Sequence, residues 1–327
     1  MIKRGFLIVF ACLLFIAGYS YCYLNTPLNP TEVRVLITKG TSINGIAKNL
    51  QAADLIKDHR LFKLVAIGLT KCGSRLQAGE YMFAANITPL QILREMIAGN
   101  SVIRKVVIPE GYTNYQILEL LAGAEGLEGE IEPDFKEGEL MPDTYHYSWG
   151  DKRQCIIDKM KKAMTSFIAE AWAQHHTGLI SNTSINTPEQ AIILASIIEK
   201  ETALEAEKPL VSAVYHNRLR IGMPLQADPT VLYAVTEGRL GLERRVTYND
   251  LKIVSPYNTY LYRGLPPTPI ANPGRASILA AMNPAVTKDI YFVADGLGGH
   301  VFASGYAGHK QNVQKYREAV RKMLSNR

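Results

Sequence analysis

Two carboxylates close the run from Ile193 to Thr202, an otherwise apolar stretch with helical periodicity that ends Glu199-Lys200-Glu201-Thr202. A helix apolar on nearly every side has no packing reason to carry acids. At helical spacing Leu194, Ile197, Ile198 and Glu201 fall within about 100° of arc, so Glu201 extends the most apolar stripe, while Glu199 turns toward Ile192, Ala195 and Ser196. A carboxyl set against Leu and Ile is desolvated, which disfavours its charged form and raises its pKa toward the range of a proton donor near neutral pH. Cleavage of a glycosidic bond requires such an acid. The alternative is a solvated or ion-paired glutamate with Lys200 or Lys208 as partner, since structural ion pairs also perturb pKa values.

Three polar motifs follow this helix: Leu225 to Thr230, Ser255 to Tyr260 and Gly264 to Gly274. Each places amide, hydroxyl or carboxylate groups on Pro-stiffened loops beside tyrosines. Amides pair with sugar hydroxyl and N-acetyl groups while Tyr covers pyranose faces, so the motifs predict a sugar groove built from Gln226, Asp228, Thr230, Tyr257, Asn258, Tyr260 and Asn272. Taken singly, each motif reads equally as an ordered turn.

The elements that position these groups are legible from periodicity. With 327 residues and 47% hydrophobic content the chain supplies two cores. Lys3 and Arg4 precede an uncharged, mostly apolar stretch from Gly5 to Leu24, long enough at helical rise to cross a bilayer with its N-terminus in the cytoplasm. A cleaved signal peptide is the competing reading, and Tyr19, Tyr21 and Tyr23 break up its cleavage site. Tyr19-Ser20-Tyr21 before Cys22 lacks the small residue of a lipidation site.

From Val33 to about residue 125 the pattern is strand, Gly-containing turn, helix: Val33 to Thr38 then Ser42 to Gln51; Gly79 to Phe83 then Thr88 to Ala98; Val106 to Thr113 then Tyr115 to Leu121. These small βα units resemble the LysM-like module that binds N-acetylglucosamine-containing glycans; a plain α/β scaffold is the alternative. The acidic stretch Gly123 to Glu139 marks a boundary. Beyond it helices are expected at Ile156 to Trp172, Pro188 to Thr202, Pro209 to Leu219 and His309 to Leu324. Loops or short strands are expected after Gly222, and Tyr291 to Val293 with Val301 and Phe302 should form a hairpin.

The seven histidines (His59, His146, His175, His176, His216, His300 and His309) and four cysteines show no metal-ligand spacing and read as surface or core residues. Cys72 and Cys155 are either one disulfide or two unrelated thiols. No cofactor motif is present: Asp295-Gly296-Leu297-Gly298-Gly299 opens no helix and is followed by no Lys-Ser or Lys-Thr. A net charge of +6, spread along the chain, favours an anionic envelope and forms no stripe for nucleic acid.

Glu199-Lys200-Glu201-Thr202, the run Asn217 to Thr230, the run Tyr257 to Gly274 and the run Tyr291 to Phe302, in this order behind an N-terminal anchor, closely resemble the MltG (YceG-like) family of endolytic murein transglycosylases. The resemblance extends over nearly the whole chain, including Met141-Pro142-Asp143-Thr144-Tyr145. It implies an α+β protein with an N-terminal transmembrane helix (1–25), a LysM-like α/β domain (30–130) and a mixed catalytic domain (135–327) whose central helix carries the catalytic glutamate. The family's essential glutamate falls on Glu201 by motif. Met141 and Ala227 depart from residues common at those places, which touches substrate positioning rather than the acid.

The reaction implied is non-hydrolytic cleavage between N-acetylmuramic acid and N-acetylglucosamine. Glu201 protonates the glycosidic oxygen, and its carboxylate then takes the proton of the muramoyl C6 hydroxyl as that oxygen closes on C1. The implied partners are peptidoglycan strands, the bacterial inner membrane and, as candidate protein partners, peptidoglycan synthases, with the catalytic domain in the periplasm. A muramidase-type hydrolase needs a second carboxylate, for which Asp228 and Glu199 are the candidates, Glu199 being disfavoured because residues two apart point to opposite sides of a helix. A non-catalytic, membrane-tethered glycan binder is the third class.

Overall fold

A computed structural model of the chain describes residues 2–70, 75–177, 183–239 and 246–325. The chain forms two compact units, the first comprising residues 1–105, 125–128 and 146–152 and the second residues 106–124, 129–145 and 153–327.

In the first unit α1 (Ile2–Asn25) is one continuous helix on which Phe10, Leu14, Phe15 and Ile16 stand exposed. The side chains of residues 2–9 and 13, which carry much of the expected span, lie outside the described residues; among the described residues no helix is long and apolar enough to cross a membrane. The strand β1 (Val33–Ile37) is followed by α2 (Ile43–Ala52), α3 (His59–Thr70), β2 (Gly79–Phe83) and α4 (Pro89–Ala98). β1 and β2 pair antiparallel, with Val35 opposite Tyr81, so that Ile37, Tyr81 and Phe83 fall on one face over Ile46, Leu50, Phe62, Ile92 and Met96, all buried. Helix α3 falls between the first two expected βα units; Phe62 and Ala66 are its buried stripe. Thr88 and Gln91 cap α4 reciprocally, and Gly99 ends it at φ +75, where a side chain would be strained. The one buried acid of β2, Glu80, has its pKa lowered by a bidentate Arg104 at 2.7 and 3.0 Å. Cys72 lies outside the described residues, and with it any pairing to Cys155.

The chain continues through β3 (Arg104–Val107), α5 (Asn114–Gly123), β4 (Leu127–Glu128), β5 (Thr144–Tyr147) and β6 (Asp151–Lys152); β3 pairs with β5, and β4 runs parallel to β6. Residues 106–124, the third of the expected βα units, belong to the second unit and not with the first two. The reason is a backbone exchange: Gly111 N–H donates to Asn272 O at 2.9 Å, and Asn272 N–H to Tyr112 O at 2.9 Å.

The second unit then adds α6 (Arg153–Thr177), α7 (Pro188–Glu201), α8 (Lys208–Arg220), α9 (Asp228–Thr236), α10 (Arg275–Met282), the antiparallel hairpin β7 (Tyr291–Ala294) and β8 (His300–Ala303), and α11 (Tyr306–Ser325). Its core is centred on α7, whose Ala191, Leu194, Ala195, Ile197 and Ile198 are wholly buried against residues of α8 and α10, among them Val211, Tyr215, Ile278 and Ala281. Two helices, α9 and α10, occupy the region expected to hold loops or short strands. Asp228-Pro229 supplies the favoured proline of a first helical turn for α9, and α10 is only eight residues long, too short for its periodicity to stand out from the surrounding turns.

Candidate active site

Thr187 caps α7, its side chain accepting from Gln190 N–H, and Pro188 occupies the first turn. At the far end Thr202 leaves the helix in extended conformation (φ −141°, ψ 135°), so Glu201 is the last helical residue. The two acids here have opposite surroundings.

Glu199 is saturated. Its Oε2 accepts from Gly274 N–H at 2.9 Å and from the Ser277 hydroxyl at 2.7 Å, and Lys208 Nζ donates to Oε1 at 3.1 Å. Both side chains of this ion pair are buried, 8% and 3% exposed. The pair ties α7 to α8 and to the start of α10, a structural assignment for Glu199.

Glu201 has one hydrogen bond among the described residues, from the Tyr215 hydroxyl to Oε1 at 2.6 Å. Burial raises its pKa from 4.5 to about 7; the Tyr215 bond opposes that rise, nearby Asp228 adds to it, and His300 and Arg218 oppose it. The residue is nevertheless partly accessible. A carboxyl balanced between its two forms near neutrality, with one oxygen uncommitted and solvent within reach, can both give and take a proton.

The groups around it come from distant parts of the chain. Tyr215 on α8 is fully buried, edge-on to Phe292 of β7 at 6.0 Å, and burial holds its phenol protonated far above neutral pH, so it donates to the Glu201 carboxylate. One turn on, Arg218 donates to Ile290 O at 2.7 Å and to Leu225 O, and lies over the Tyr291 ring. Asp228, the first residue of α9, is exposed and accepts from the Tyr260 hydroxyl at 2.6 Å. Burial, then that bond and the neighbouring acids, push the Tyr260 phenol up. His300 opens β8, and both its backbone N–H and its ring Nδ1 reach Glu207, at 2.8 and 2.7 Å.

Of the residues expected in a sugar groove, Asp228 and Tyr260 are brought to Glu201, each felt there electrostatically or feeling its charge. Gln226 is exposed in a left-handed turn (φ +49), its backbone N–H bound to Thr259 O. Tyr257 bonds Thr268 at 2.6 Å and packs on the Tyr233 ring, in the wall of a separate surface hollow with Glu237 and Ser255. The other three are interior braces. Thr230 donates to Ala227 O at 2.7 Å and pairs with Thr259. Asn258, wholly buried, donates to Leu251 O and Ile253 O and accepts from Tyr260 N–H. Asn272, also wholly buried, accepts from Gly138 and Leu140 N–H and donates to Tyr112 O and Asn114 Oδ1. Their polar groups are engaged by the chain's own backbone and by the neighbouring Thr259 and Asn114 side chains rather than standing open to a sugar, because Asn and Thr in Pro-rich turns serve the turn first.

Tyr215, Arg218 and His300 were not expected at this site. The spacing of Val211, Tyr215 and Arg218 places the latter two on the core stripe of α8, a signal of the same kind as that at Glu201. Nothing local marks His300. Among the described residues no group of three or more His, Cys, Asp or Glu is arranged to hold a metal ion.

Comparison with known proteins agrees over most of the chain. A family model described as the YceG-like family matches residues 35–315. An endolytic murein transglycosylase of Bacillus subtilis is 30% identical across 92% of this chain and 91% of its own length. Its namesake in Streptococcus pneumoniae strain D39 is 28% identical across 94% of this chain, which spans 64% of that longer protein. The crystal structure of a YceG-like protein from Listeria monocytogenes aligns at TM-score 0.54 and 29% identity, covering 86% of this chain and 99% of that one.

Proposed function

We propose a function from the premise that this chain belongs to the YceG-like family: it is an endolytic murein transglycosylase, a lyase that cuts peptidoglycan glycan strands without water. The observation that carries the assignment to a particular residue is Glu201, a partly accessible carboxyl moved to about 7 with a single tyrosine donor among the described residues, beside a Glu199 whose oxygens are all engaged. Protonated Glu201 donates to the glycosidic oxygen between N-acetylmuramic acid and N-acetylglucosamine. The C1–O bond breaks with its electron pair going to that oxygen, and positive charge develops at C1. The muramoyl C6 oxygen then closes on C1 and its proton passes to a base, a part the newly formed Glu201 carboxylate can play, leaving a 1,6-anhydro end. A pKa near the working pH suits a group that must be acid and then carboxylate in one turnover. Asp228 and Tyr260 are the polar wall that meets the sugar, and Gln226 stands exposed two residues before Asp228.

Two further readings rest on composition and fold. α1 is a retained single-pass inner-membrane anchor: Phe10, Leu14, Phe15 and Ile16 are 55–75% exposed on it, behind Lys3 and Arg4, and hydrocarbon would cover them where water cannot do so favourably. This sets the catalytic unit in the periplasm, within reach of nascent glycan and of the synthases that make it. The β1-α2-α3-β2 arrangement of the first unit serves as a LysM-like glycan-binding module.

The experiment is mass spectrometry of murein glycan digested by the full-length chain in detergent. The expected products carry 1,6-anhydro ends and are absent with Glu201→Gln. Reducing ends in their place establish a hydrolase, with Asp228 as the second carboxylate; retention of glycan without cleavage establishes a binding protein.

A further inference from the structure

The hairpin β7–β8 is fastened to the chain immediately after Glu201. Glu207, five residues beyond Thr202, accepts from the Thr202 hydroxyl at 3.2 Å, from the His300 backbone N–H at 2.8 Å and from His300 Nδ1 at 2.7 Å. Gly299 leaves room for this: a Cβ there would lie 2.8 Å from Glu207 Oε1. The His300 ring stands edge-on to Phe292 at 5.4 Å, and Phe292 in turn stands edge-on to Tyr215, whose hydroxyl holds Glu201. Thus His300 is fixed on two sides, one of them the same aromatic ring that backs the Glu201 donor. A positive charge on its ring opposes the rise of the Glu201 pKa.

With a carboxylate on Nδ1, the neutral imidazole carries its proton there and has a lone pair on Nε2. Nε2 has no hydrogen-bond partner among the described residues, although the side chain is only 17% exposed. A partly buried imidazole oriented by a carboxylate and open at its other nitrogen is the arrangement of a general base, in which the carboxylate fixes the tautomer and stabilises the imidazolium that forms.

We propose that the Glu207–His300 pair is a second proton-transfer group of this active site, dividing the work that one carboxylate would otherwise do alone. The proposal rests on the transglycosylase reading above. Glu201 gives its proton to the leaving glycosidic oxygen, which keeps the electron pair of the broken C1–O bond. The C6 hydroxyl gives its proton to His300 Nε2 while its oxygen forms the new bond to C1. The enzyme is left with a Glu201 carboxylate and a His300 imidazolium beside Glu207, and solvent returns the proton from one to the other before the next turnover.

Among the described residues the charged and titratable groups around His300 are few. Glu207 faces it from the turn after α7, Asp295 from the hairpin tip and Glu201 from the end of α7, with Arg218 and Asp228 beyond. Helix α11 packs on the same hairpin, and its Tyr306 and His309 sit against Tyr291.

The test is the pH dependence of kcat for the full-length chain on purified glycan strands, with His300→Gln, His300→Ala and Glu207→Gln as variants. An acid and a base give a bell-shaped profile; Glu201 alone gives a single fall toward alkaline pH. The expected result is a bell whose acid limb disappears in His300→Gln, with a loss of about 10²- to 10⁴-fold in kcat at unchanged thermal midpoint, and partial rescue of His300→Ala by added imidazole. Should His300→Gln fold poorly, Glu207→Gln, which keeps an acceptor for the hairpin but no charge, is expected to lower kcat in the same direction and weaken the acid limb. Retention of normal kcat and an unchanged profile in folded His300→Gln overturns the proposal, as does a loss of kcat with the acid limb intact and no imidazole rescue. Neither outcome touches the transglycosylase reading, which stands or falls on the 1,6-anhydro ends formed by the unaltered chain.

Discussion

Glu201→Gln separates a catalytic acid from a structural one by a double signature. The folded state holds the Glu201 carboxyl at about 7 against an ordinary 4.5, chiefly through burial. Because the folded form binds its proton more tightly than the unfolded chain, stability contributed by this group is present below pH 4.5, declines as the pH rises toward 7 and is gone above it. Fully expressed, that displacement corresponds to about 3 kcal/mol against folding at pH 8; the partial accessibility of the side chain reduces it to about 1–2 kcal/mol. Glutamine carries no charge to desolvate and still offers an oxygen to the Tyr215 hydroxyl. The variant is therefore expected to melt above the parent at pH 8, by about 2–4 °C for each kcal/mol in a unit of this size, and level with it at pH 4. Its glycan cleavage is expected to fall by about 10²- to 10⁴-fold or more. Differential scanning calorimetry at the two pH values, beside product analysis, reads both. A Glu201→Gln protein that is less stable at pH 8 and still cuts glycan refutes the reasoning at both steps, the more so if Glu199→Gln is folded and inactive.

Other consequences follow from the same geometry. Tyr215→Phe removes the bond that favours the Glu201 carboxylate, so the alkaline limb of the pH–rate profile is expected to move to higher pH; a shift to lower pH would contradict the role given to that bond. Asn258→Ala orphans the carbonyls of Leu251 and Ile253, and a loss of about 1–3 kcal/mol in thermal stability is expected with turnover of the folded fraction little changed. The half-buried Glu137 carboxyl is raised from 4.5 to about 7 by desolvation, offset in part by the Asn114 N–H. Glu137→Gln should accordingly gain stability over the parent at pH 8 and none at pH 4, read from thermal midpoints at each pH; equal differences at both would remove the linkage.

Much of this architecture is written in neighbouring residues. The capped, Pro-started helix ending at Glu201 and the hairpin beginning at Tyr291 follow from patterns within a dozen residues, because backbone hydrogen bonding and the burial of one face are local requirements. That Glu201 and Glu199 lie on different faces of the helix is likewise visible in the spacing. The environment of each acid was not. Glu199 is quenched by Lys208, Ser277 and the Gly274 N–H, while Glu201 receives, among the described residues, only a phenol from α8, and these partners arrive from residues up to 78 positions away. Likewise Asn258 and Asn272 share their composition and loop context with Asp228, yet two of them face inward to orphaned backbone groups and one faces the acid. A residue's type sets which hydrogen bonds and charges it can offer; whether those are spent on the chain's own backbone or left for a substrate depends on which distant groups the packed core brings within about 3 Å.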